Sequence, residues 1–375
     1  MKIAFDAKRA FLNTTGLGNY SRILLNSLMR DFPANDYLLF SPKVDEELRS
    51  EIIGTYQLKL PETQFNQAFH SYWRTTGLVK EIAKSKAEVF HGLSNELPYF
   101  GNYFFANSCK KIVTIHDLIF LKHKEQYPFF DRSVYEIKTK YAAQKADCII
   151  VPSIETKREL MRFYNVQENK IEVVYQSCSP DFYQEKSELE KQQVIEKFQL
   201  PKKFILNVSS FHARKNQLEL IKAFGKIKGK VEDKLVLVGN TGATLPIIQS
   251  YLAEKKLEND VFILGQVSNK ELPAVYQLSS VFVYPSMLEG FGIPILEALF
   301  SKIPVVTSAG GCFEEVGGAN SSYINPNSAD DIADKVLFIL NNSKQKEGMI
   351  TKGIIHAQTM TDKHFAKATM EIYQR

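Results

Sequence analysis

The sequence has few of the features that mark secreted, metal-binding and membrane-spanning proteins. It contains four cysteines in 375 residues, and none forms a CxxC pair or has a histidine at the spacing of a metal site. No run approaches the ~18 apolar residues that a membrane-spanning helix needs. Residues 1–11 contain only a short apolar stretch before charges resume, which predicts a first β-strand and not a secretory signal. We therefore expect reduced cysteines and a cytoplasmic protein.

The charge and composition exclude further classes of protein. The net charge of +5 is too small for a nucleic-acid-binding surface, although it is compatible with an anionic substrate or a membrane surface. A content of 44% hydrophobic and 24% charged residues is typical of a globular protein, not of a disordered or fibrous one. The length of 375 residues exceeds one ordinary core and indicates two domains of about 180 residues each.

Short apolar runs rich in β-branched and aromatic residues alternate with amphipathic segments of helix length. This alternation predicts parallel sheets covered by helices on both faces, in a doubly wound α/β architecture. A polar stretch after Tyr175 interrupts the rhythm. The predicted domains are an N-terminal Rossmann-like domain over 1–180, a linker over 181–200, a C-terminal Rossmann-like domain over 201–357 and a final helix over 358–375.

The stretch MLEGFGIPILEALF, residues 287–300, combines an apolar helix with two glutamates. Pro294 suits the first turn of a helix, so the helix is expected to begin near 291–293. Glu289 would lie in the loop before the helix, and Glu297 one turn inside it. A buried glutamate needs hydrogen-bond donors, and a ribose diol supplies two. The alternative is that Glu297 pairs with a core arginine and that Glu289 caps the helix.

Two adjacent cations, Arg214 and Lys215, precede a helix that is expected to begin near Asn216. The N-terminus of a helix already carries positive partial charge, so cations there are unfavourable unless an anion binds beside them. The pair therefore predicts a phosphate site. The alternative is that both side chains are solvated on the surface.

The first domain offers candidates at the ends of its strands, where open α/β sheets bind ligands. A loop containing Gly16 and Gly18 precedes an amphipathic helix and is expected to lend backbone N–H groups to a phosphate or a reacting sugar. These glycines come too late for the tight turn of a dinucleotide-binding fold, which disfavours a dehydrogenase. His116 and His91 end two other strands, and each is either functional or a satisfied structural residue.

Together these motifs resemble the retaining glycosyltransferases of family 4, whose GT-B fold consists of two facing Rossmann-like domains with a cleft between them. The resemblance covers nearly the whole chain and rests on EGFGIPILEA, on PVVTSAGG after it, and on RKN and PS before it. It implies a hexosyltransferase that uses a nucleotide-diphosphate sugar and no cofactor. By this resemblance the domain over 1–180 would lie on the acceptor side, the domain over 201–357 would bind the nucleotide sugar, and the helix over 358–375 would pack back on the first domain. The expected donor is GDP-mannose first and a UDP-sugar next. The expected acceptor is a saccharide or a lipid-linked oligosaccharide in cell-surface polysaccharide synthesis.

The resemblance also implies a role for each site residue. Glu297 would bind the ribose of the donor, and Glu289 would meet hydroxyls of the transferred sugar. Arg214 and Lys215 would hold the diphosphate, and His116 would contact the donor sugar. Loop residues would complete the donor site, and these are Gly16, Gly18, Ser210, Val267, Ser268, Gly290, Phe291, Gly292 and Ile293.

The expected site contains no metal. Metal-dependent transferases hold a cation with an Asp-x-Asp motif, and no such motif follows a predicted strand. Arg214, Lys215 and helix N–H groups would neutralise the leaving diphosphate instead. Ser210 stands where many family members have an arginine, and Arg214 is the expected substitute. The predicted catalytic residues are His116, Glu289, Lys215 and Arg214.

Residues 121–147 combine cations with aromatic side chains. This segment either docks a lipid-linked acceptor at the inner face of the cell membrane or forms a solvated amphipathic helix. Its prominent residues are Lys122, Lys124, Tyr127, Phe129, Phe130, Arg132, Lys138 and Lys140.

Three other functions are compatible with these motifs. A sugar-nucleotide epimerase of the same fold would need no acceptor and would exchange a carbon-bound hydrogen with solvent. A phosphorylase would release a sugar phosphate. A nucleotide-sugar-binding protein would bind the nucleotide without turnover.

Overall fold

The structure is a computed structural model that describes residues 1–99, 109–124, 128–239 and 242–375. Tyr127 of the cation-rich segment lies outside these residues. The chain divides into two compact units. The first comprises Met1–Cys178 with Met360–Arg375, and the second comprises Ser179–Thr359.

Each unit contains one parallel sheet, which confirms the predicted doubly wound α/β class. The strands of the first unit are β1 (Lys2–Asp6), β2 (Asp36–Phe40), β3 (Gln57–Lys59), β4 (Val89–Gly92), β5 (Lys110–Thr114), β6 (Cys148–Val151) and β7 (Ile171–Val173). Those of the second unit are β8 (Phe204–Val208), β9 (Lys234–Val238), β10 (Val261–Leu264), β11 (Val281–Tyr284), β12 (Val305–Ser308) and β13 (Ser322–Ile324). Apolar runs in the sequence do not predict β3 and β13, because these three-residue strands contain no continuous apolar run.

The two sheets share one topology. Their strand orders are β3-β2-β1-β4-β5-β6-β7 and β10-β9-β8-β11-β12-β13. The order therefore reverses between β1 and β4 in the first unit and between β8 and β11 in the second. Loops that leave the carboxyl ends of such a strand pair diverge to opposite sides of the sheet, which opens a crevice where ligands of this fold bind.

Helices connect the strands. In chain order they are α1 (Lys8–Leu12), α2 (Gly16–Asp31), α3 (Glu46–Ser50), α4 (Gln64–Ala68), α5 (His70–Tyr72), α6 (Leu78–Ser85), α7 (Ile119–Lys122), α8 (Phe129–Lys145), α9 (Ile154–Tyr164), α10 (Glu188–Phe198), α11 (Gln217–Ile227), α12 (Leu245–Lys255), α13 (Leu272–Leu278), α14 (Ile293–Phe300), α15 (Cys312–Gly317), α16 (Ala329–Leu340), α17 (Ser343–Ala357) and α18 (Asp362–Gln374). A π-helical turn, Trp73–Gly77, lies between α5 and α6, and a 3-10 turn, Ala213–Lys215, precedes α11. None of the helices in the described ranges combines the length and apolar character needed to cross a membrane.

The last helix, α18, belongs to the core of the first unit. Its Phe365, Met370 and Tyr373 are buried in one cluster with Phe5 of β1 and Leu24 of α2. At its first turn, Asp362 forms an ion pair of 2.5 Å with Arg30. The helix is therefore held by apolar burial along its length and by charge at its start.

Candidate functional site

The two motifs of the second unit meet where its strand order reverses. The loop after β8 leads into the turn that carries Arg214 and Lys215, and the loop after β11 carries Glu289. Backbone hydrogen bonding joins the loops, since the Met287 N–H donates to the Arg214 carbonyl at 2.8 Å. The Ser286 hydroxyl oxygen lies 3.2 Å from the same carbonyl. Residues separated by more than 70 positions therefore lie at one edge of the sheet.

Glu289 is the centre of a compact ionic cluster. Its Oε1 lies 2.5 Å from Lys215 Nζ and 2.8 Å from Arg214 Nη1. The hydroxyls of Ser286 and Tyr284 also donate to Oε1, at 2.5 and 3.1 Å. No hydrogen bond within the described part of the chain involves the second carboxylate oxygen, Oε2. One oxygen of Glu289 is thus anchored by four donors, and the other is left for a further donor.

The two cations are not solvated side chains. Lys215 is only 8% exposed, and its ammonium also donates to the Tyr284 hydroxyl at 2.8 Å. Arg214 Nη1 donates to the Leu288 carbonyl at 3.1 Å. The anion beside them is Glu289, which neutralises one of the two positive charges. The cluster therefore keeps one net positive charge.

The cluster also fixes the ionisation of Glu289. Burial alone would raise the pKa of this carboxyl, but the nearby charges of Lys215 and Arg214 outweigh burial and lower the pKa to about 2. Glu289 is therefore a carboxylate throughout the physiological pH range.

Helix α14 begins at Ile293, as predicted. It starts there because Gly292 precedes it with a φ of 109°, a conformation that side chains with a Cβ strongly disfavour. Pro294 occupies the first turn, where its missing N–H has no intrahelical partner to lose. Gly290 and Phe291 form the loop between the ionic cluster and the helix.

Glu297 lies one turn inside α14 and is held differently from Glu289. Its Oε2 accepts a hydrogen bond of 2.8 Å from the Tyr276 hydroxyl. Burial raises its pKa to about 7, and the bond from Tyr276 offsets only part of that effect. No arginine pairs with it in the described ranges, and Glu289 pairs with cations and does not cap α14. The alternative roles considered for these glutamates are therefore not found.

The remaining candidates of the second unit are engaged through their backbone. The Ser210 carbonyl accepts a bond of 2.9 Å from the Gln217 side chain. Ser268, next to the half-buried Val267, donates to Glu271 Oε2 through both its N–H (3.1 Å) and its hydroxyl (2.7 Å). The Ser268 N–H is therefore bonded within the turn that precedes α13.

In the glycine loop of the first unit, the backbone N–H of Gly18 is already hydrogen-bonded within the loop. Helix α2 begins at Gly16, and the Gly18 N–H donates to the Thr15 carbonyl (2.9 Å) and to Asn13 Oδ1 (3.1 Å). A Cβ at Gly18 would lie 1.7 Å from the Asn13 carbonyl oxygen, whereas a Cβ at Gly16 would meet nothing within 4 Å. Close approach of the backbone therefore requires glycine at 18, whose N–H already has partners.

His116 is buried and neutral. Its Nε2 lies 2.9 Å from the Leu93 carbonyl, so this nitrogen carries the proton. Its Nδ1 then accepts a longer bond of 3.3 Å from the Gln176 side chain. Burial lowers the pKa of His116 to about 4. The Tyr20 ring packs edge-on at a centroid distance of 4.5 Å and completes the enclosure.

His91 serves the structure of the first unit. Its two ring nitrogens lie 2.6 Å from the Tyr373 hydroxyl and 2.8 Å from Thr114 Oγ1. Thr114 in turn bonds to the Tyr20 hydroxyl at 2.8 Å. Burial lowers the pKa of His91 to about 3, so the ring is neutral. This chain of hydrogen bonds joins α18 to α2 through the sheet.

Sequence patterns did not reveal the neutral partners of the two glutamates. Tyr284 ends β11, and Ser286 follows it, so their position after an apolar strand was an available signal. Tyr276 lies in α13, and its pairing with Glu297 depends on helix packing that no motif encodes. Among the described residues, no group of three or more His, Cys, Asp or Glu side chains is arranged to hold a metal ion.

Two family models match the chain, one on each unit. The model described as Glycosyltransferase Family 4 matches residues 15–182, and that described as Glycosyl transferases group 1 matches residues 189–355.

Curated relatives and solved structures carry related descriptions. O-antigen chain mannosyltransferase B of Escherichia coli is 25% identical, with 100% of both chains covered. O-antigen chain mannosyltransferase RfbU of Salmonella typhimurium is 28% identical over 57% of this chain and 56% of the relative. The structure of Anabaena Alr3699/HepE in complex with UDP and glucose has a TM-score of 0.76 at 15% identity, covering 100% of this chain and 99% of the other.

Proposed function

The chain belongs to the group 1 and family 4 glycosyltransferases and has the GT-B fold, and we propose that it transfers a hexose from a nucleotide-diphosphate sugar with retention of configuration. Mannose from GDP-mannose is the first candidate, because two relatives that are 25% and 28% identical to this chain are named O-antigen mannosyltransferases. A UDP-sugar is the next candidate. The acceptor is a saccharide or a lipid-linked oligosaccharide of a growing cell-surface polysaccharide.

The ionic cluster at Glu289 is the observation that carries this proposal. Four donors hold Oε1, which leaves Oε2 to accept a hydroxyl of the transferred sugar. Arg214 and Lys215 carry two positive charges and Glu289 one negative charge, so the cluster attracts a diphosphate. Because these side chains are already in place, little of the protein has to reorganise when the diphosphate binds. A neutral sugar and an anionic leaving group thus find complementary groups a few ångströms apart.

Glu297 suits the ribose of the donor. Tyr276 occupies Oε2, and no hydrogen bond in the described part of the chain reaches Oε1. A ribose diol would donate to the carboxylate and lower its pKa from about 7, because hydrogen bonds to the charged form favour that form. Nucleotide binding is therefore expected to be coupled to the ionisation of Glu297.

His116 would meet the transferred sugar as a neutral ring. Its Nε2 is committed to the Leu93 carbonyl, whereas the bond from Gln176 to Nδ1 is long. A sugar hydroxyl would donate to Nδ1 in place of Gln176. This role is one of positioning and does not require a proton transfer.

The reaction is proposed to proceed without a metal ion, since Arg214, Lys215 and backbone N–H groups can stabilise the charge that develops on the diphosphate. Transfer should then continue in excess chelator at an unchanged rate. Loss of turnover in chelator, restored by magnesium or manganese, would refute this part of the proposal.

Thermal-shift measurements with GDP, UDP and their sugar conjugates test the donor site. A ligand that binds only the native state raises the melting midpoint by mass action. Lys215→Ala and Glu297→Ala should each abolish the shift relative to their own ligand-free midpoints. The matched control is Lys226→Ala, which removes an exposed lysine paired with Asp330 and should keep the shift. A shift retained in both site variants would show that the nucleotide binds elsewhere.

We extend the proposal to a membrane surface contact through α8. Phe130 and Phe129 at its start are 82% and 65% exposed, and Val134 is 51% exposed one turn later. Co-sedimentation with vesicles of anionic phospholipid should fall several-fold in Phe130→Ser. Equal co-sedimentation of the variant and the parent would argue against this contact.

A further inference from the structure

Tyr284, the last residue of β11, contacts both a cation and the carboxylate of the ionic cluster. Its hydroxyl accepts a hydrogen bond of 2.8 Å from Lys215 Nζ and donates one of 3.1 Å to Glu289 Oε1. The Lys215 ammonium also lies 5.3 Å from the centre of the Tyr284 ring, within the range of a cation–π contact. Tyr284 thus joins a residue proposed to hold the diphosphate to the residue proposed to hold the sugar.

The Tyr284 ring is fixed by its surroundings. It is only 1% exposed, and it stacks on the Phe282 ring at a centroid distance of 5.9 Å and an angle of 19°. The Phe313 ring packs edge-on at 6.5 Å. Side chains in a close-packed interior keep one rotamer for most of the time, so packing sets the position of the Tyr284 hydroxyl.

The backbone that carries the neutral donors is held by the next strand of the sheet. The hydroxyl of Thr307 in β12 donates to the Tyr284 carbonyl at 2.9 Å, and that of Ser308 donates to the Ser286 carbonyl at 2.6 Å. Thr307 and Ser308 are buried. The hydroxyls of Tyr284 and Ser286 therefore reach Glu289 from a rigid support.

The four donors to Glu289 Oε1 are of two kinds. Lys215 and Arg214 are charged, whereas the hydroxyls of Tyr284 and Ser286 are neutral. A diphosphate carries more negative charge than one carboxylate, so both cations are drawn towards it when it lies beside them. The neutral hydroxyls feel no comparable attraction and stay on Glu289.

Glu289 therefore depends more on the hydroxyls once a diphosphate binds. Burial raises the pKa of Glu289, and in the structure Lys215 and Arg214 lower it to about 2. A diphosphate that shares these cations weakens their hold on the carboxylate. Hydrogen bonds to the charged form favour that form, so the bonds from Tyr284 and Ser286 then keep Glu289 ionised and in one orientation.

We propose that Tyr284, assisted by Ser286, is a positioning residue that keeps Glu289 Oε2 turned towards the transferred sugar while Lys215 and Arg214 hold the diphosphate. The proposal rests on the proposed function and divides the cluster by task. The cations bind the leaving group, and the hydroxyls orient the carboxylate that meets the sugar.

Tyr284→Phe tests this role, because it keeps the ring and removes only the hydroxyl. The affinity for GDP or UDP, measured by titration calorimetry, should stay within about twofold of the parent, since both cations remain. The kcat at saturating donor should fall by about tenfold, a typical loss for one hydrogen bond to a charged group. Adding Ser286→Ala to this variant should lower kcat further and again leave the nucleotide affinity in place.

The kcat is measured as release of the nucleotide from GDP-mannose or UDP-glucose, with the methyl α-glycosides of mannose, glucose and galactose as acceptors. Tyr323→Phe is the matched control. It removes a tyrosine hydroxyl of the same unit, which bonds to the Gly318 carbonyl at 2.5 Å. This control should keep the kcat and the nucleotide affinity of the parent.

Two results with an active parent would overturn the role of Tyr284 alone. One is an unchanged kcat in Tyr284→Phe. The other is an equal loss of nucleotide affinity and kcat, which a merely structural residue would give. A parent that neither binds a nucleotide nor releases one from either donor would overturn the proposed function and this proposal together.

Discussion

The carboxyl edges of the two sheets have the same strand order around the point of reversal but differ in electrostatics. In the second unit, Glu289 is ionised between Lys215 and Arg214, and the edge carries net positive charge. In the first unit, burial keeps His91 and His116 neutral, and neutral hydrogen bonds satisfy their rings.

The difference shows how one fold can present two chemistries. The strand order places loops at the same position in each sheet, but the residues after the strands decide which ligand is favoured. Cations at the edge of the second unit suit an anionic ligand, such as the diphosphate of the proposed donor. The edge of the first unit instead presents buried, neutral rings.

Among the substitutions that test this difference between the units, removal of Glu289 should lower the free energy of unfolding the most. In Glu289→Ala, Lys215 and Arg214 face each other without an anion, and the lost partner of a buried pair costs about 3–5 kcal/mol. Urea denaturation followed by a probe in the second unit measures the change. Glu254→Ala removes an exposed partner of Lys255 and should change the free energy of unfolding by less than about 1 kcal/mol. Similar losses in the two variants would contradict the central role of Glu289.

The next largest change in stability is expected in the first unit, from alanine substitution at its two loop glycines. Gly18→Ala forces a Cβ against the Asn13 carbonyl and should cost about 1–3 kcal/mol of stability. Gly16→Ala meets open space and should change stability by less than about 1 kcal/mol. Thermal unfolding of the two variants side by side measures the difference, and equal midpoints would refute the steric explanation.

Opposite pH responses are expected for the two glutamates of the second unit. The pKa of Glu289 is lowered from 4.5 to about 2, so its stabilisation is present above 4.5 and is lost as the pH falls towards 2. The pKa of Glu297 is raised from 4.5 to about 7, so the ligand-free protein loses stability as the pH rises between those values.

Nucleotide affinity should follow the ionisation of Glu297. In the proposed complex the Glu297 carboxylate accepts the ribose diol, so affinity should fall by up to about tenfold per pH unit below 7. Titration calorimetry between pH 6 and 8 measures this dependence, which should be absent in Glu297→Gln. A parent protein with constant affinity over this range would exclude the coupling.

Loss of one hydroxyl group from α18 should give the smallest change in stability. Tyr373→Phe removes the partner of His91 and leaves one buried ring nitrogen unsatisfied, at a cost of about 1 kcal/mol. Differential scanning calorimetry should detect a lower midpoint than in the parent. Tyr72→Phe, at an exposed tyrosine, provides the reference and should leave the midpoint unchanged.

Local features of the site were readable from the sequence. The start of α14 near Gly292 followed from a proline in the first turn, because proline and glycine restrict the backbone wherever they occur. The positions of Arg214, Lys215 and Glu289 after apolar strands followed from the alternation of strands and helices. The ion pairs of Arg74 with Asp6 and Glu96 were not predicted, since no motif connects three residues that are up to 90 positions apart.

The sequence by itself determined the α/β class, the strand ends and the family, because these depend on periodicity and on short motifs. Tertiary structure alone decided the state of each polar group. It paired Glu289 with cations and Glu297 with a tyrosine, and it packed Gly18 closely against the Asn13 carbonyl. The physical reason is that a pKa and a hydrogen bond depend on burial and on partners from distant parts of the chain.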